Sequence, residues 1–504
     1  MGHTRQRVLH HLVHATVVAL LVAACGSPGT TTDPAGTPGS RAATPRVSAA
    51  TAQRSTNATT QAAGPTSPVT TPVPLASTPV ATRAAAPAAG PTSSGAPAVA
   101  PAVVTTVATP ALSMPPAPAR PTGPGTAPTP AALADIQPVR DPGLVPSRLE
   151  VAQVLQQGVF AQEHVIQLPA GFHINLFASG LSGARGLAVG PDGNLYVTLM
   201  GSQSVVVLRD PGHTGVSTER ATAAAGLQHP HGVAFVDGWM YVGETGKVER
   251  FPIESSGVRS DRREVIVQNL PNDGGHSTRT VHIGPDQKLY VSIGSSCNVC
   301  IEKDPRRASI VQYNLDGSNE HIFARGLRNA VGFTFDPTTG LLWATVNGRD
   351  NLGDDLPGEA ITVVRDGDNL GWPSCYGARL LDPQFGKPDL CKDTIVPTLQ
   401  IQAHSAPLGA AFYTGAQFPA EYQHDLFVPL HGSWNRTTPT GYKVVRVKRH
   451  DGGPAEVQDF ATGWLVGGKS WGRPVDVAQG VDGSLYISDD DAGAVYRVWY
   501  GGKS

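Results

Sequence analysis

The chain has 504 residues, a formal net charge of −2 and only 15% charged residues. That balance excludes nucleic-acid binding through a basic face, which needs clustered Lys and Arg. The 44 prolines and 57 glycines are unevenly spread, with many prolines before residue 150, so the averages mix two unlike regions.

Residues 1–25 read as an export signal. Arg5 and Arg7 give the positive start, and the apolar run Ala15 to Ala24 is too short to span a bilayer as a helix. Small residues followed by Cys25 resemble a bacterial lipobox, so Cys25 is expected to carry lipid, anchoring the chain to a membrane in the periplasm or at the outer cell surface. Residues 26–143 are Pro, Ala, Thr, Ser and Val with almost no charge. Such a stretch buries too little apolar surface to offset its ordering entropy. It is expected to be a disordered stalk between the lipid and a working domain at 144–504.

That domain opens with SRLEVAQVLQQGVF, which reads as a short helix. A strand–turn–strand unit then recurs: Arg185–Leu208, His231–Phe251, Thr280–Gly294, Val331–Val346, Leu408–Val447 and Val475–Val498. Alternating apolar residues around Gly/Asp turns mark antiparallel strands. Six copies at about 60 residues each suit four-stranded blades closed in a ring, an all-β six-bladed propeller, and ring closure protects sheet edges. A solenoid would need polar capping repeats.

Four cysteines lie in this domain: Cys297, Cys300, Cys375 and Cys391. An even count in an exported chain points to two disulfides with three possible connectivities, of which Cys297–Cys300 with Cys375–Cys391 is simplest. The CNVC spacing lacks the second half of a zinc site, and Ile301 stands where haem attachment needs histidine.

Nearly every copy is entered from a loop carrying Arg, His or Asn: Arg185, then Gln228 with His229 and His231, then His276 after Gly274-Gly275, Arg328 with Asn329, and Arg473. His431 to Arg436 (HGSWNR) lies inside the fifth copy and adds Trp434 and Arg436. A shared funnel rich in arginine and histidine suits an anionic ligand, since arginine forks carboxylates and histidine moves protons near neutral pH. NGRDNLGDD at 347–355 groups carboxylates with turn glycines, a composition that can bind Ca²⁺ although the spacing is not that of an EF-hand.

The stretches GGHSTRTVHIGPD, GLRNAVGFTFDP, NLGDDLPGE with DNLGWP, HGSWNR and WGRPVDV together resemble the soluble sugar dehydrogenases that depend on pyrroloquinoline quinone (PQQ), with the sorbosone-oxidising branch nearest. The resemblance covers about residues 165–500 and implies a six-bladed propeller binding PQQ and Ca²⁺. It implies His276 as the base that takes a sugar hydroxyl proton during hydride transfer. Cofactor contacts fall to Arg328, Asn329, Arg473, Gln228, His231, Trp434 and Arg436. The calcium region falls at Gly348, Arg349, Asp354 and Asp355. The sequence departs from the glucose-oxidising members: Gly275 replaces an acidic residue, Arg349 replaces a proline, and a lysine contacting PQQ has no counterpart. No haem motif is present in the sequence, so electrons are expected to leave to a separate quinone or cytochrome. Two rival functions are a calcium-dependent propeller lactonase or other hydrolase and a non-catalytic surface binding module.

Overall fold

The computed structural model describes residues 136–450 and 453–501; the signal segment, Cys25 and most of the Pro/Ala/Thr/Ser stretch lie outside the described residues. Six antiparallel blades form the propeller. Blade one runs Ala184–Val189, Leu195–Leu199, Ser204–Arg209 and Glu219–Ala225, each strand pairing with the next. Blade two is Val233–Val236, Trp239–Glu244, Lys247–Glu254 and Glu264–Val267. Val281–Ile283, Leu289–Ile293, Ser309–Tyr313 and His321–Arg325 make blade three. Blade four is Asn329–Phe335, Leu342–Asn347, Glu359–Val364 and Leu399–Ile401. Each repeat recognised in the sequence supplies the inner strands of one blade.

The last two blades are built from both ends of the domain. Blade five consists of Ala411–Phe412, Leu426–Leu430, Lys443–His450 and Gly453–Thr462, and is widened by Val165–Leu168 and Val145–Arg148. Blade six takes Pro474–Gln479, Leu485–Asp489 and Ala494–Tyr500 from the C-terminal end, and its outermost strand is Phe172–Ser179 from the N-terminal end. The expected helix at SRLEVAQVLQQGVF does not form. Val145–Arg148 is a strand and two 3₁₀ turns follow, Gln153–Leu155 and Gly158–Ala161, because edge pairing satisfies this backbone and only Phe160 buries its side chain in those turns. Residues ahead of Leu144 also join the domain, with bridges Ile136 to Gln400 and Arg140 to Gln458.

The second strand of each blade departs from simple alternation. Leu195–Leu199 and Leu289–Ile293 are buried at every position. Blades stack on both sides of such a strand, so both of its faces meet apolar neighbours. Hydroxyls then tie blade to blade. Thr198 Oγ1 accepts from Gly186 N at 2.8 Å and donates to His231 O of the next blade at 2.7 Å. Thr345 repeats the device between Gly332 and Leu408, and Ser488 Oγ donates to Arg185 O at 2.6 Å across the ring closure.

Loops leading into the inner strands and hairpins joining second to third strands emerge on one face, called here the upper face. Val331 and Val475 on inner strands and Leu408 just ahead of one form an apolar cluster beneath it. On the opposite face the axis widens into a cavity of about 460 Å³ lined by inner-strand residues such as Leu187, His282 and Ala410.

Candidate functional site in the upper funnel

His276 stands on the loop ahead of blade three. Gly274 has φ of 90°, and a Cβ there would lie 2.3 Å from Ser296 O, so only glycine lets the loop fold down. Beneath the loop lie two buried arginines. Arg279 donates to His276 O at 3.1 Å and Thr278 O at 2.6 Å, and Arg307 donates to Gly294 O at 3.2 Å and pairs with Asp273 at 2.8 Å. The imidazole Nδ1 lies 2.8 Å from Ser295 O. A carbonyl only accepts, so Nδ1 carries the proton and Nε2 keeps its lone pair. Burial, helped by the charge of Arg328, lowers the His276 pKa to about 4, so the ring is neutral at physiological pH.

Asn329 flanks the histidine across Gly294: a Cβ on Gly294 would lie 2.4 Å from Asn329 Oδ1 and 2.7 Å from His276 Cβ. The structure therefore brings His276 and Asn329 together. Arg328 differs from expectation. Its Nε donates to Asn298 O (3.0 Å), Nη1 to Asn347 O (3.3 Å) and Gly348 O (2.5 Å), and Nη2 to Asn298 Oδ1 (2.9 Å) and Asp350 (3.1 Å). All five of its N–H donors are spent on protein acceptors, leaving none for a cofactor. Arg473 is the open arginine: Nε reaches His431 O at 3.4 Å, and among the described residues its Nη groups find no acceptor.

His231 is buried in the wall of a smaller cavity between the inner strands, 5% exposed. Its Nδ1 meets the Thr280 hydroxyl at 3.1 Å, and that hydroxyl donates onward to Val331 O. Nδ1 must then be the donor, and Nε2 is left buried without a partner. Burial lowers its pKa well below the ordinary value. Gln228 is exposed, with its backbone N–H held by Glu244. Asp490, absent from the residues picked in the sequence, bridges Arg185 Nη1 (2.5 Å) and His431 Nε2 (2.9 Å), and those two partners hold its carboxyl well below the usual range against the opposing effect of burial.

In the calcium region, Gly348 O accepts from Arg328, and the Arg349 side chain pairs with Asp382 at 2.5 Å. Asp354 receives the N–H of Thr437 at 3.1 Å, and Asp355 pairs with Arg436 at 3.1 Å, so both carboxylates clamp the HGSWNR loop. On that clamped loop Trp434 is 76% exposed. Among the described residues the one close group of three potential metal ligands is Cys297, Cys300 and Glu302, and its two sulfurs are joined in a disulfide. A cation at Gly348 O would face the Arg328 guanidinium, so that oxygen as arranged is not open to calcium.

Both disulfides form as the simplest pairing has them, Cys297–Cys300 and Cys375–Cys391. Asn298 and Asp350, the main partners of Arg328, were not recognised in the sequence. The disulfide around Asn298 was the available signal.

A six-bladed propeller with this funnel belongs to the class of soluble PQQ-dependent sugar dehydrogenases. Within it, a family profile described as TrAA12-like matches residues 166–500, and the chain belongs to that family. An uncharacterized protein of Borreliella burgdorferi is 31% identical over 353 residues, covering 66% of this chain and 91% of that one. A PQQ-dependent pyranose dehydrogenase of Coprinopsis cinerea is 25% identical over 404 residues, covering 65% of this chain; the match spans 54% of the Coprinopsis protein. The holo PQQ domain of pyranose dehydrogenase from Coprinopsis cinerea superposes with a TM-score of 0.59 at 23% identity, covering 72% of this chain and all of that domain, which shows the shared fold.

The funnel's own chemistry fits an anion. Arg473 has unspent donors, which a carboxylate would meet.

Proposed function

We propose that this chain is a PQQ-dependent dehydrogenase that oxidises a sugar at a hydroxyl or hemiacetal carbon, with His276 as general base. The observation that carries the reading is the orientation of His276: Nδ1–H is tied to the Ser295 carbonyl, Nε2 is free, and Asn329 stands beside it. When bound, PQQ supplies the hydride acceptor. His276 Nε2 takes the hydroxyl proton as the hydride leaves the carbon. Arg473 would hold a cofactor carboxylate. The apolar cluster of Val331, Leu408 and Val475 lies below. The relatives named as PQQ-dependent dehydrogenases support the cofactor class. The sorbosone-like branch, a separate electron acceptor and a lipid anchor at Cys25 are part of the same proposal. Calcium is left out of the mechanism because Arg328 occupies Gly348 O.

The test is a spectral titration of the full chain with PQQ, with and without Ca²⁺, followed by addition of aldoses. The expected result is a bound quinone that sugar bleaches. His276→Ala should still bind PQQ but be reduced about 10²–10⁴-fold more slowly. A wild-type protein that binds no PQQ, or a His276→Ala protein reduced at the wild-type rate, overturns the proposal.

A further inference from the structure

The four residues closed by the Cys297–Cys300 bond lie at the rim of the funnel and carry Asn298. Asn298 O accepts from Arg328 Nε at 3.0 Å and from Trp372 Nε1 at 3.3 Å. Its Oδ1 accepts from Arg328 Nη2 at 2.9 Å and from the Asp350 N–H at 2.8 Å, and its Nδ2 donates to Asp350 O at 3.1 Å. Asp350 then reaches Asn435 of the HGSWNR loop at 2.8 Å. On the other side, Cys297 O accepts from Ser295 Oγ at 2.7 Å, and Ser295 is the residue that orients His276. One short loop is thus the common attachment of the base, of Arg328 and of the 347–350 segment.

We propose that Asn298 is the positioning residue that sets Arg328 and the 347–350 segment, and that the Cys297–Cys300 bond holds Asn298 in place, making the site wall sensitive to thiols. Asn298 reaches no reacting group itself; it acts through Arg328 and Asp350. A small external dithiol opens the latch by thiol–disulfide exchange: the Cys297–Cys300 S–S bond breaks and gains two electrons and two protons as two thiols. The dithiol loses the same two electrons and two protons as it closes to its own disulfide. Access makes the step selective. Cys297 and Cys300 are half-buried, whereas Cys375 and Cys391 are each 3% exposed. Once the bond is open, the backbone of 297–300 regains rotational freedom, and the five hydrogen bonds of Asn298 lose their fixed geometry.

The experiment uses the full chain, reduced with a mild dithiol, alkylated and mapped by mass, with amide hydrogen exchange measured before and after. Of the four cysteines in the domain, alkylation is expected on Cys297 and Cys300 alone, with exchange at 347–351 rising about tenfold while the strand Leu485–Asp489 stays protected. Asn298→Ala in oxidised protein should reproduce that exchange, and so should the double variant Cys297→Ser with Cys300→Ser if the dithiol leaves the bond closed. Affinity for PQQ gives a second readout and rests on the preceding proposal. Asn298→Ala and Arg328→Ala should each weaken binding, and the Asn298→Ala/Arg328→Ala double variant should bind no worse than Arg328→Ala, the signature of action through the guanidinium. Unchanged exchange at 347–351 after the bond is opened, or additive losses in the double variant, overturns the inference. Failure of oxidised protein to bind PQQ overturns the preceding proposal alone, and the exchange result then decides this one.

Discussion

At the scale of single residues, the two arginines matched to a cofactor role are in different states. Arg328 has all five donors met by Asn298, Asn347, Gly348 and Asp350, whereas Arg473 has its Nη groups open to the funnel. Losing a charge-assisted bond costs about 1.5–3 kcal/mol. Arg473→Ala should therefore weaken PQQ binding by roughly 10- to 150-fold. Arg328→Ala should weaken it by less than about tenfold, through a loosened 347–350 segment. Equilibrium titration of both variants checks the order, and a larger loss for Arg328→Ala would show that its guanidinium turns to the ligand. The sequence pointed to both arginines because each sits ahead of an inner strand. It could not separate them, since the acceptors that occupy Arg328 come from 298 and 347–350, brought near only by the closed ring.

At the scale of elements, the funnel loops hang on buried carboxylates at strand ends. Glu244 receives the N–H of Gln228, Glu359 that of Gly348 at 2.6 Å, and Asp489 that of Arg473 at 2.9 Å. Burial pushes the Glu359 carboxyl up from 4.5 to about 7. A raised folded pKa gives stability that is full below about 4.5 and is lost as pH rises through about 7, because the unfolded chain releases its proton first. Glu359→Gln keeps an acceptor for Gly348 and removes the titration. Relative to wild type, the variant should gain up to about 1.4 kcal/mol per pH unit between those two values and no more above them. Denaturant melts at pH 4, 5.5 and 8 read this directly, and a stability difference that is flat with pH refutes it. Strand–turn–strand units such as RGLAVGPDGNLYV were legible because period-two patterning and Gly/Asp turns are local. The place of Val145–Arg148 and Val165–Leu168 in blade five was not, since they pair with each other and only Val165–Leu168 reaches the blade, through Gly453–Thr462 far along the chain.

At the scale of the whole molecule, the most extensive pairing of distant segments is Phe172–Ser179 on Ala494–Tyr500, which completes blade six. Ile174 and Leu176 on the first strand and Tyr496 and Val498 on the second are all 0% exposed. Leu176→Ala leaves a cavity at the closure and should cost about 2–5 kcal/mol. Val154→Ala, at a position 72% exposed, should stay within about 0.5 kcal/mol. Urea melts of both compare them, and a Leu176→Ala protein as stable as wild type would show that the ring does not depend on this seam. Six repeats in the sequence were enough to infer a ring, but which strand would seal it was not legible.

That seam also sets a clock on biogenesis. His173 meets the carbonyl of Gly501 across a separation of 328 residues. At about 5–20 residues per second, the first strand waits on the order of 16–65 s on the ribosome for its partner. Throughout that interval Phe172–Ser179, the outer strand of blade six, has no blade to pair with, and its free edge can pair with other chains. Contacts of such long range form late and slowly. A truncation of only the last strand, Ala494–Tyr500, would thus leave the ring unsealed from the moment of synthesis, and such chains would be lost to aggregation or proteolysis even though every funnel residue had been made.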